Sequence, residues 1–484
     1  MNPRRFCSYS ALLPLGCSLL LMACGTPPPP TEIPITASSE EARQLYVQGR
    51  DRLENLETLE AQKLFDQAIA KDSNFARAYL SRAGTGGTSE VVRKDRERAI
   101  SLIGIVSPGE RMLLLRAQAL AEGNTALGKV YLDSLHIMFP RDKRVKYMLG
   151  LYTRGLGDYK NAVKYYEEAV GIDSLFAAPY NQLGYDYVEL GNIEGAEKAF
   201  KMYIRLLPGR PNPLDSYAEF LRMQGRYEES ITQYENVLKA DPTFVTSMNG
   251  LGDCYVFMGK PDKARECYQE LIDKGPQLGD KLGGFMAKAV AYVHEGKIPE
   301  ALKSLDEYGA FGQKAGEPTA MVWNLATQGW VLVNSGKAQE GFKKYEDAIQ
   351  QLKTVTLQEP IRKNMLFWSN YWMIQANAEI KKMDKAKEYL AAFSADVARR
   401  GNPGETDAVT IAEGYIAMME GRYDAALSKF AGVPPDPTTL SFQGLTCMKK
   451  GDKEQARQFA NKIMKWNTNG FDLAIARNRA KGWL

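Results

Sequence analysis

The chain has 484 residues, 44% hydrophobic and 25% charged, with Lys+Arg 62 against Asp+Glu 58 for a formal net charge of +4. That balance fits a soluble folded protein and lacks the concentrated basic patch of a nucleic-acid binder, so no nucleic-acid partner is expected. Two histidines far apart and six scattered cysteines make a zinc site or a histidine-based triad hard to assemble; no metal and no cofactor are expected, and the chain reads as a non-enzyme.

Residues 1–23 carry Arg4 and Arg5, then an apolar run from Ala11 to Ala23. That run is about 13 residues long, short of the about 20 that a bilayer span takes. A charged start, an apolar middle and a small-residue end are the layout of an export signal. The stretch Leu21-Met22-Ala23-Cys24 resembles the bacterial lipoprotein signal. The resemblance implies cleavage before Cys24, palmitate-type acylation of Cys24 and anchoring to a membrane of the bacterial cell envelope. Gly25 leans towards the outer membrane, with the folded part facing the periplasm. Pro27 to Pro30 favour polyproline II geometry, so residues 24–39 read as a lipidated cysteine and a Pro-rich linker that holds the fold off the membrane.

From there on the sequence keeps time. Gly123, Gly157, Gly191, Gly225 and Gly259 are each 34 residues apart, and Pro140, Pro208, Pro242 and Pro276 lie on a second grid of the same period, with Ser174 at its missing point. Such a period marks a repeat architecture. In AAPYNQLGYDYVELGNIEGAEKAFKMYIRLLPGR (177–210), Tyr180, Leu183, Gly184 and Tyr187 share one face of a first helix. Gly191 ends that helix; Ala196, Phe200 and Tyr203 line a second, which Pro208 closes. The unit is a helical hairpin that cannot bury its apolar face alone, so neighbours must stack. The pattern resembles the tetratricopeptide repeat, through Leu149, Gly150, Ala162 and Tyr166 in 143–176 and Leu251, Gly252, Ala264 and Tyr268 in 245–278.

The expected fold is therefore all-α, an α-solenoid of about 11–12 stacked hairpins. Residues 40–108 read as degenerate hairpins, 109–278 as the regular array, 279–468 as longer irregular hairpins and 469–484 as a C-terminal cap. In the irregular part GKIPEA, GKAQEG, MDKAKEYL, GRYDAA and GDKEQA each read as the turn into a second helix.

A stacked array of this kind has a concave face, lined in the resembled family by the first helix of each hairpin. Placing the regular units on the grid gives a polar stripe of Arg144, Tyr147, Arg154, Asn181, Tyr185, Asp215, Glu219, Arg222, Asn249 and Asp253. These groups could hydrogen-bond an extended peptide or a partner helix; the alternative is an ordinary solvated surface. On the later units the same stripe turns aromatic, with Met286, Trp323, Trp330, Trp368 and Tyr371. That section is expected either to face an apolar ligand or to be buried as core. Cys254 and Cys267 occupy the two helices of one hairpin and read as buried thiols or as a pair. His136 and His294 read as packing or surface residues.

The functional expectation is a membrane-anchored periplasmic scaffold or adaptor in envelope assembly, with a protein or peptide partner. The resemblance also leaves room for a glycan-binding outer-membrane lipoprotein.

Overall fold

The computed structural model describes residues 31–484; the export signal, Cys24 and Pro27 to Pro30 lie outside the described residues. Twenty-five helices and, among the described residues, no strand form twelve consecutive hairpins and one terminal helix. The hairpins are α1 (Glu40–Glu54) with α2 (Thr58–Lys71), α3 (Ala76–Ala83) with α4 (Ser89–Ser101), α5 (Pro108–Ala121) with α6 (Thr125–Met138), and α7 (Lys143–Gly155) with α8 (Tyr159–Ile172). Next come α9 (Ala178–Glu189) with α10 (Ile193–Leu206), α11 (Pro211–Met223) with α12 (Tyr227–Ala240), α13 (Ser247–Phe257) with α14 (Pro261–Lys274), and α15 (Leu278–His294) with α16 (Ile298–Lys314). The last are α17 (Ala320–Asn334) with α18 (Ala338–Thr354), α19 (Glu359–Glu379) with α20 (Met383–Arg400), α21 (Pro403–Met419) with α22 (Tyr423–Ala431), and α23 (Pro437–Lys450) with α24 (Lys453–Met464). Helix α25 (Phe471–Ala480) follows.

The turn inside each regular hairpin explains the glycine grid. Gly123, Gly157, Gly191, Gly225 and Gly259 all have φ between +70° and +75°, a left-handed conformation that strains any residue with a Cβ. In three of these turns the next residue, Asn124, Asp158 or Asn192, accepts the backbone N–H three positions on and so caps the second helix. Glycine stops one helix and an Asn or Asp starts the next.

A third grid holds the hairpins shut. Tyr166, Phe200, Tyr234 and Tyr268 are buried on successive second helices, each ring against the first helix of its own hairpin. A Cβ on Gly184 would lie 2.5 Å from the Phe200 ring, so the small residue is what lets the two helices close around the aromatic. Burying one such ring contributes roughly 2–3 kcal/mol. Each second helix then packs on the next first helix, and the first helices α9, α11, α13 and α15 touch in sequence along the inner face. The five turns expected in the irregular half are where α16, α18, α20, α22 and α24 begin.

Two features depart from a free-ended stack. The linker expected to run to Ser39 ends sooner. Ile33 is only 7% exposed and its N–H donates to the Asp142 carboxylate at 2.8 Å, while Thr36 and Ser38 bond Glu110 and Asp72. These acids sit at hairpin junctions, and an extended strand of chain supplies the donors they need, so residues 33–38 belong to the folded body. The first hairpins also reach across the superhelix: Gln277 donates to Thr58 at 2.7 Å, Ser89 donates to Glu317 at 2.8 Å, and Arg210 pairs with Glu57 at 3.3 Å. That seam is loosely filled, with a cavity of about 690 Å³ beside Asp51, Glu57, Lys63 and Arg210. No helix of the described residues is long and apolar enough to cross a membrane.

Candidate functional site: the concave face and its occupant

The inner face of α7 to α15 carries a ladder of polar side chains, one rung per hairpin. Arg154 pairs with Asp186 and lies over the Tyr185 ring. Tyr185 donates its hydroxyl to Glu219 at 2.7 Å, and Glu219 accepts from Arg222 at 3.0 Å. Arg222 reaches Asp253 at 3.6 Å, and Asp253 accepts from the Tyr268 hydroxyl at 2.8 Å. Arg222 is 4% exposed, so its charge is compensated almost wholly by protein groups.

The ladder does not end in solvent. Arg222 donates to the main-chain carbonyl of Asn467 at 2.8 Å, and Tyr227 donates to the Asn467 side chain at 2.6 Å. The Asn469 amide nitrogen donates to Asp253 at 2.7 Å, and its oxygen accepts from His294 Nε2 at 2.8 Å. Farther along, Asn478 donates to the Val293 carbonyl at 2.6 Å and Arg479 to the Asn334 carbonyl at 2.9 Å. Between these anchors Ala474 and Ile475 pack on Ala289, Val290, Val293 and Val331, and Arg477 stacks over Phe257 at 4.8 Å. Residues 466–482, which include most of the stretch 469–484 expected as an end cap, thus run back along the inner face of α11 to α17 while the other side of α25 rests on α23 and α24.

Burial sets the titration of the ladder. It pushes the Asp253 carboxyl up, opposed by the Arg222 charge, and drives Asp215 up to about 7 although Ser247 donates to it at 2.5 Å. It lowers His294 to about 4, which keeps the imidazole neutral with its proton on Nε2, facing Asn469.

The polar stripe expected from sequence divides into three. Arg154, Tyr185, Glu219, Arg222 and Asp253 join in the ladder, with Asp215 beside it and the side-chain oxygen of Asn181 buried without a partner among the described residues. Arg144 pairs with Glu54 at 2.6 Å, and Tyr147 packs between the Tyr166 and Phe176 rings. Asn249 stays exposed. Every ladder member already has a protein partner, although Arg222 Nε and one oxygen of Asp186 are buried without one among the described residues.

The aromatic positions are also largely covered. Met286 and Trp330 flank the apolar contact with α25, and Trp368 and Tyr371 pack against Phe393. The cleft beside Trp330 and Tyr371 measures about 20 Å³, room for little more than one water. Trp323, at 39%, is the exposed one of the set. Cys254 and Cys267 are separate free thiols, both buried. Among the described residues no group of three His, Cys, Asp or Glu side chains is placed to hold a metal ion.

The inner face of the first four hairpins differs, because α25 does not reach it. There a concavity of about 370 Å³ is lined by apolar residues such as Tyr46, Leu80, Leu113 and Leu151, by Arg50, Arg77, Arg116 and Arg144, and by the acidic residues Glu32, Glu54 and Asp142. Sequence reasoning missed Asp186, Tyr268, His294, Asn467 and Asn469. The first three sit off the chosen stripe, and the asparagines lie in the short WNTNG stretch (466–470) whose destination no local pattern encodes.

Residues 144–174 and 211–274 both match family models described as tetratricopeptide repeat. The chain carries tetratricopeptide repeats over both stretches. Over 111 residues this array is 30% identical to Superkiller complex protein 3 of Mus musculus, covering 23% of this chain and 7% of that one. Over 265 residues it is 23% identical to Hsp70-Hsp90 organizing protein 2 of Arabidopsis thaliana, covering 51% and 44%. The chain thus spans less than half the length of these curated relatives. Among solved structures the tetratricopeptide array is similar to yeast Tom70, at 14% identity over 87% of this chain and 98% of that one, with a TM-score of 0.44. It is also similar to the type IV pilus biogenesis factor PilW, at 18% identity over 53% and 94%, with a TM-score of 0.30.

Proposed function

We propose that this chain is a scaffold that receives a protein or peptide segment on its concave face, tethered to a bacterial envelope membrane through acylated Cys24. The observation that carries the binding reading is the open concavity of the first four hairpins, where apolar side chains, four arginines and the carboxylates beside them line one space of about 370 Å³. A peptide offers both apolar side chains and carbonyl or carboxylate oxygens, which is the mixture such a wall engages.

The tether reading adds a distance. With the folded body starting at Ile33, a chain anchored at Cys24 has eight intervening residues, Gly25 to Glu32, a reach of about 32 Å at most. The concave face would then work close to the membrane, on partners in or beside it, in the assembly of an outer-membrane or periplasmic structure. Incorporation of labelled palmitate, lost in Cys24→Ser, tests the anchor. For the partner, a photocrosslinking residue at Leu151 should give discrete adducts in cells, and one at Lys198 should not; equal labelling from both sites rejects the concave-face reading.

A further inference from the structure

We infer that the groove of α11 to α17 is a receptor for a peptide element of defined chemistry, and that residues 466–482 are its resident occupant, replaceable by a partner segment of the same kind. The inference deepens the scaffold reading and rests on it.

The contacts are those of ligand recognition. Arg222, Asp253 and His294 come from three successive first helices and converge on the Asn467 main-chain carbonyl and the Asn469 side-chain amide, while the Asn467 side-chain amide accepts from Tyr227 and donates to the Met223 carbonyl. A helix that merely covered the apolar inner face would need none of them. Keeping a charged pair and an imidazole on that face is costly unless each finds its partner. A site built on buried polar groups rejects occupants that leave those groups unpaired.

The apolar half is equally specific. Phe471, Ala474 and Ile475 are the first, fourth and fifth residues of α25, and pack with the small residues Ala289, Val290 and Val293 of α15. Asn478, the eighth residue, closes on the Val293 carbonyl. The opposite face of α25, through Leu473, Ala476 and Ala480, lies on its own terminal hairpin. Release from the groove therefore leaves the helix partly covered, joined to α24 by the non-helical residues 465–470. The element that fits has two amide side chains two residues apart, then a short helix with apolar groups at its first, fourth and fifth positions and an amide at its eighth.

Because the resident segment is tethered, it competes at an effective concentration in the millimolar range. The test loosens it without touching the receptor. The full chain carrying Asn467→Ala, Asn469→Ala and Ile475→Ala is titrated with a labelled synthetic peptide of residues 465–484. It should bind that peptide at least tenfold more tightly than the unaltered chain, and adding Arg222→Ala should remove the gain. Equal affinity of the two chains overturns the inference. Hydrogen exchange on the unaltered chain gives a second reading that needs no variant: residues 471–480 should exchange by an opening in which α13 and α15 stay protected, and exchange only together with α15 overturns it. Adducts still forming at Leu151 while the peptide fails to bind would sink this inference alone. Bound peptide without Leu151 adducts would sink the first-half site instead.

Discussion

Arg222→Ala is the perturbation with the most to say about the ladder. The side chain is 4% exposed, contacts Glu219 and Asp253 at 3.0 and 3.6 Å, and donates to the Asn467 carbonyl at 2.8 Å. Its removal leaves Asp253 buried with only the Tyr268 and Asn469 donors, a situation that costs about 3–5 kcal/mol, and strands a carbonyl worth about 1 kcal/mol more. The Asp253 carboxyl is already pushed up by burial and held back by Arg222, so losing the cation raises it further. A carboxyl with a raised folded pKa loses stability as pH rises, so the variant should be hurt more at pH 8 than at pH 5. Asp253→Asn removes the stranded charge and should recover about 1–3 kcal/mol in the Arg222→Ala background while costing stability in the unaltered one. Repeat arrays open locally, so the readout is hydrogen exchange in α13, α15 and α25 rather than one global midpoint. A cost below about 1 kcal/mol, or effects of the two substitutions that add to within about 0.5 kcal/mol, would refute the ladder as an energetic unit.

Gly184→Ala places a methyl 2.5 Å from the Phe200 ring and should cost about 1–3 kcal/mol, seen as a lower thermal midpoint; a neutral result would mean the hairpin packs more loosely than described. Asp215, raised to about 7, contributes stability that is present below its unfolded value of 3.8 and lost as pH rises through 7, whereas His294, lowered to about 4, contributes stability present above 6.5 and lost as pH falls. Denaturation midpoints between pH 4 and 8 should therefore lose their alkaline decline in Asp215→Asn and their acid decline in His294→Gln, each of order 3 kcal/mol, and profiles parallel to the unaltered chain would contradict both assignments. Burial pushes Cys254 up to about 11 and Cys267 up to about 12, so a thiol reagent at pH 7.5 should modify neither until denaturant is added; reaction at the rate of a free thiol would show that this hairpin opens.

The fold was legible because its punctuation is local. A left-handed turn needs a glycine, a helix start needs a cap and a hairpin needs one aromatic per unit, and each demand repeats on the same 34-residue grid. The stripe was legible only in part. Tyr185, Glu219, Arg222 and Asp253 were placed on the inner face, but their partners come from second helices and from residues more than 200 positions away, which no period reveals. In the irregular half, first helices of 17 and 21 residues slip off the grid, which turned Trp368 and Tyr371 into core and left Trp323 outside. The terminal segment reads as a cap in sequence because its apolar residues suit any neighbour; its real position depends on how far the superhelix turns.

The measurement that bears most directly on the filled groove is an internal crosslink from α25. Ile475, 5% exposed against α15 and α17, is replaced in the full chain by a diazirine-bearing leucine analogue and the photoproducts are mapped by mass spectrometry. A segment lying in the groove gives crosslinks to residues 289–293 and 331. Crosslinks confined to α23 and α24, with none to α15 or α17, would show an ordinary end cap and contradict the occupied concave face.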